Sequence, residues 1–69
     1  MEAIKKELQE RKSEIEEAID IVFKANMKIT DWDVPEADDK EAANIILAIM
    51  QTKINQIKVD IDSGKFDNY

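Results

Sequence analysis

The stretch AANIILAIMQTKINQIKVDI, Ala42–Ile61, decides the fold. Ala43, Leu47, Met50, Ile54, Ile57 and Ile61 recur in it at alternating spacings of four and three. That spacing draws one stripe along an α-helix, in the pattern of a helix that packs against another helix. Ala42, Ile45, Ile46 and Ile49 lie to one side of the stripe. The first half of this helix is therefore apolar over more than the usual width of about 100° and asks for more cover than one neighbour gives.

The rest of the composition agrees. A chain of 69 residues is one domain at most, and chains this short bury only about 60% of their unfolded surface. There is no cysteine and no histidine, so disulfides and the usual zinc sites are not available as staples. Regular helix packing or self-association remains. One glycine, one proline and few aromatics favour helix. A net charge of −6 disfavours phosphate backbones and anionic membranes and favours basic partners. No run is long enough for a membrane span, the longest apolar one being Ile45–Met50. The lack of cysteine fits a cytoplasmic protein.

Working outward, residues about 2–28 read as a first helix. Ile4, Leu8, Ile15, Ala18, Ile19, Val22, Ala25 and Ile29 share its stripe, with Arg11 on the same line. Phe23 and Met27 fall on one flank and Ile21 on the other. Residues 29–38 form an acidic connection. Two start signals compete there, Asp33 with Glu36 and Asp38 with Glu41, and a short turn from Pro35 is expected to run into the main helix. The second helix, about 39–62, should end at Ser63-Gly64 with Gly64 as its left-handed terminator. Residues 65–69 read as a short, mobile, acidic tail. The expected fold is an all-α, antiparallel two-helix hairpin over residues 1–64. It is expected to pair into a dimeric four-helix bundle or a higher helical oligomer.

The catalytic inventory is thin. Without His or Cys the commonest general base and a common nucleophile are missing, and Ser13 and Ser63 have no base near them in sequence. Glu14-x-x-Glu17 followed by Glu36-x-x-Asp39 resembles the carboxylate signature of the all-α nucleoside triphosphate pyrophosphatases of the MazG type. That resemblance implies a magnesium cage inside a helical bundle, magnesium being a carboxylate-seeking ion. It covers four positions only, and Glu36 and Asp39 sit around a proline-marked helix start, whereas the family carries its second pair inside a helix. Helix-capping acids and a solvated face account for the same residues, so no enzyme activity, metal or cofactor is expected. Asp60-x-Asp62-Ser63-Gly64 suits a helix end better than a calcium loop, since the glycine comes one position early.

The acidic connection has the best functional claim. Thr30–Glu41 holds six acids against Lys40 alone, so most of the net charge sits there, beside the only tryptophan, Trp32. The ring either caps the end of the bundle or stands free as a binding anchor. The reading is an interaction protein (adaptor, regulator or stoichiometric inhibitor, of the kind that phages and plasmids make) that docks a basic protein surface. Phe23, Met27, Trp32, Ile45 and Ile49 would supply apolar contact, and Asp31, Asp33, Glu36, Asp38 and Asp39 the charge. The alternative is a helical oligomer that binds a nucleotide or small anion at Lys53 and Lys58, near Lys5, Lys6, Arg11 and Lys12.

Overall fold

Glu, Lys, Ala and Ile dominate the first half of the chain, and residues 2–33 are helical but for one position. The computed structural model describes residues 2–69 and is all-helical over them, with three helices and no strand. Helix α1 is Glu2–Glu10, α2 is Lys12–Asp33 and α3 is Asp39–Asp62. One long first helix was the expectation, and the chain forms two. Arg11 separates them with φ −93° and ψ 1°, in the sparsely used bridge region. Arg11 is the one charged residue on the apolar line, and its Nε donates to Glu14 Oε2 at 3.1 Å. The backbone ladder nevertheless continues, with Arg11 N donating to Glu7 O and Ile15 N to Arg11 O, both at 3.1 Å.

Helix α2 also outlasts its expected end near residue 28. Nothing stops it sooner. Asn26 and Thr30 donate back to the Val22 and Asn26 carbonyls, each at 2.9 Å, without breaking the helix. Pro35 ends it, because the residue before a proline is driven out of the helical region; Val34 has φ −133° and ψ 78°. Asp33 is therefore a last helical residue and not the cap of the next helix. The cap is Asp38, whose carboxylate accepts from Lys40 N at 3.2 Å. At the far end Gly64 has φ +88°. Gly64 N donates to Ile61 O at 3.1 Å and Lys65 N to Asp60 O at 3.0 Å, the paired bonds of a Schellman terminator. The final residues continue in turns, with Phe66 and Tyr69 edge to face at 5.6 Å and Lys65 paired to Asp60 at 3.5 Å.

Helices α2 and α3 pack together, and α1 touches only α2. Earlier residues of α2 lie opposite later residues of α3: Thr30 shares a groove with Ala42, and Ile19 shares one with Ile57. The contact line differs from the expected one. Phe23, Met27 and Thr30 are half-buried on α2, as are Ala43, Ile46 and Met50 on α3. Ala42, 8% exposed, is the one buried residue among those described. Phe23 and Met27, expected on an outer flank, thus belong to the inner line. The observed line runs through Phe23, Met27 and Thr30 on one helix and Ala43, Ile46 and Met50 on the other. Leu8, Ile15, Val22 and Ile29, seven residues apart, stay exposed, and so do Leu47, Ile54 and Ile61.

None of the four ion pairs seen among the described residues joins α2 to α3, so that contact is apolar. The molecule is long, at 49 × 27 × 17 Å, with a radius of gyration of 16.0 Å against about 11 Å for a compact chain of this length. Its accessible surface is 6352 Å², where a compact 8.0 kDa chain would show about 4,450 Å². No helix among the described residues is long and apolar enough to cross a membrane.

Candidate partner-binding site

The site is built by the end of α2, the connection at residues 34–38 and the start of α3. The last turn of α2 carries Asp31, Trp32 and Asp33, all exposed. Trp32 is 86% exposed, so its ring caps nothing. This turn holds no basic residue, although a helix C-terminus carries a partial negative charge that favours cations. Asp31 and Asp33 therefore sit where local folding disfavours them. The acids of α3 have the opposite standing. Asp38 caps the helix, and Asp39 and Glu41 lie in its first turn, where the helix dipole welcomes them. Glu36 is exposed in the connection.

The two groups meet at one point. Asp39 faces Asp31 across the connection, and a hydrogen bond from the Asp39 carboxyl to Asp31, with repulsion between the two charges, raises the Asp39 pKa above its ordinary value. Beside this pair an open groove of about 250 Å³ runs between the helices. Thr30, Val34, Ala37, Glu41 and Ile45 are among its walls.

The expected site residues divide accordingly. Asp31, Trp32, Asp33, Glu36, Asp38, Asp39 and Ile45 come together at this end. Ile49, 65% exposed, lies further along α3 on a second groove with Val22 and Asn26. Phe23 and Met27 lie on the inter-helix line and are half-buried. Sequence reasoning missed Val34 and Ala37, and it counted Glu41 in the acidic belt without naming it as a contact residue. Val34 and Ala37 flank Pro35-Glu36 as apolar residues inside a charged loop, which was a usable signal.

The four carboxylates of the E-x-x-E…E-x-x-D pattern are not brought together. Asp33 lies sixteen positions along α2 from Glu17, about 24 Å, and Glu36 and Asp39 sit at that same far end. Among the described residues no group of three or more metal-ligating side chains converges. At the other end Lys53 lines an open, apolar groove of about 480 Å³ with Ala18, Ile19, Val22, Ile54 and Ile57. Comparison of the chain with protein-family models, curated proteins and solved structures finds no match.

Proposed function

We propose that this chain is a non-enzymatic interaction protein that holds a basic surface of another protein at its connection end. The observation that carries the reading is the last turn of α2. It keeps Asp31 and Asp33 against the helix dipole, on either side of an exposed tryptophan. A large apolar anchor ringed by one sign of charge steers a partner electrostatically and then holds it by burial.

The scaffold in this reading is a hairpin, with α1 and α2 as one arm and α3 as the other, paired with a second copy into a four-helix bundle. Two features support it. Each long arm leaves an apolar line at heptad spacing in water. Each copy also exposes about 1,900 Å² more than a compact chain of its size. Covering that excess on two copies totals about 3,800 Å², within the range of obligate homodimers.

The test is capture from an extract of the source cells with wild type, Trp32→Ala and Asp31→Asn/Asp33→Asn as baits. Wild type should enrich a basic protein that neither variant retains, with helicity unchanged by circular dichroism. The lone tryptophan reports the same event, because its fluorescence should shift to the blue as the ring leaves water. Equal enrichment on all three baits would remove the reading.

A further inference from the structure

Away from the connection an open trough runs between α2 and α3. Its larger section, of about 480 Å³, has apolar walls on both helices, among them Ile19 and Val22 on α2 and Ile54 and Ile57 on α3. An adjoining section of about 240 Å³ shares Val22, Met50 and Lys53 with it and extends towards Asn26 and Ile46. We propose that this trough binds a free single-chain amphiphile, a carboxylate of the fatty-acid type, with Lys53 holding the head and the aliphatic walls covering the tail. The inference is independent of capture at the connection.

Charge selects the head. Lys53 is the one charged residue lining either section. It takes part in none of the ion pairs or side-chain hydrogen bonds seen among the described residues. The other polar wall residue, Asn26, already donates from Nδ2 to Val22 O at 2.9 Å. On the α3 side, residues 42–59 hold no acid at all. Glu17 and Asp20 adjoin the α2 wall without lining it, and Asp20 is paired with Lys24 at 2.7 Å. A lysine ammonium is a compact point charge with three donors. One such cation matches the single charge of a carboxylate, whereas a phosphate monoester carries about −1.5 to −2.

Shape selects the tail. From Ile46 to Ile57 the trough follows eleven positions of α3, about 16 Å of helix. Its larger section lies within the usual volume of small-ligand sites, about 300–1,000 Å³, and every wall residue there except Lys53 is apolar. A second copy laid trough to trough would add another Lys53 and no carboxylate, and a buried cation without a partner is costly. An amphiphile supplies both the cover and the counter-charge. An anionic bilayer is the poorer source of it, because the chain itself carries −6.

The probe is dodecanoate below its micellar range, titrated into the full chain by calorimetry and located by methyl NMR. Saturable binding that shifts the Ile19, Ile54 and Ile57 methyls is expected, with the fluorescence of Trp32 unchanged. Dodecanol, the same tail without the charge, should bind about tenfold more weakly, the loss of one charge-assisted hydrogen bond. Lys53→Gln should weaken dodecanoate to the level of dodecanol, with helicity unchanged because Lys53 is exposed. Lys58→Gln, which lines neither section, should change nothing. Equal weakening in both variants would reduce the effect to general attraction and overturn the proposal. So would an absence of binding, which together with a dimer mass by light scattering would give the trough to the second copy. Capture at the connection stands or falls separately.

Discussion

At the scale of single residues, Asp31 and Asp33 are the informative positions, because local folding argues against them. A carboxylate in the last helical turn opposes the dipole by about 0.3–1 kcal/mol at an exposed site. Asp33→Asn should therefore stabilise the chain by ~0.5 kcal/mol, roughly 3 °C in a domain of this size, while weakening partner capture. Thermal melts at neutral pH check the first half of that statement and the capture assay the second. Asp31→Asn should do the same and also let Asp39 return toward its ordinary carboxylate range. The sign of the pH effect follows. The folded Asp39 pKa is raised, so its contribution is full below the unfolded value, near pH 4, and is lost as pH rises through the folded value. The advantage of Asp31→Asn should thus be largest at neutral pH and vanish below about pH 4. A constant advantage at every pH would show that the Asp31–Asp39 contact is not its source.

At the scale of elements, the helices and their ends follow local chemistry that can be read directly. Asp38 with Glu41 marks a start, and Ser63-Gly64 marks a stop with its left-handed glycine. Asp38→Ala should cost about 1 kcal/mol and speed exchange of the Lys40 amide with solvent. The end of α2 was harder. Thr30, Asp31 and Asp33, all tolerant of turns, precede Pro35, and only the steric reach of the proline onto Val34 decides the boundary. The rotation of the packing stripe was not legible, because periodicity gives a face to within a residue or two and side-chain volume chooses among neighbours. The exposed line Leu47–Ile54–Ile61 then gains a definite expectation. Ile54→Glu should halve the mass seen by light scattering and lower helicity, whereas an equivalent change at exposed Asn55 should do neither.

At the scale of the whole molecule, a radius of gyration of 16.0 Å and one buried residue among those described leave the single copy with little to hold it. Its melting temperature should rise with protein concentration, as it does when folding and association are one equilibrium. A concentration-independent melt would mean that the α2–α3 contact suffices alone. The candidate site was legible as a cluster of charge and tryptophan, but the outward ring of Trp32 depends on α2 continuing one turn further than expected. The interruption at Arg11 reaches beyond structure into turnover. α1 is held by α2 alone and has no contact with α3, and it carries Lys5 and Lys6, with Arg11 and Lys12 following at once. In an unassembled copy these are four adjacent tryptic sites on a segment that frays. In the proposed pair they would be shielded. The rate at which trypsin clips the first twelve residues is then a clock for the assembled fraction. A cell's own proteases would read the same clock, removing unpaired copies first.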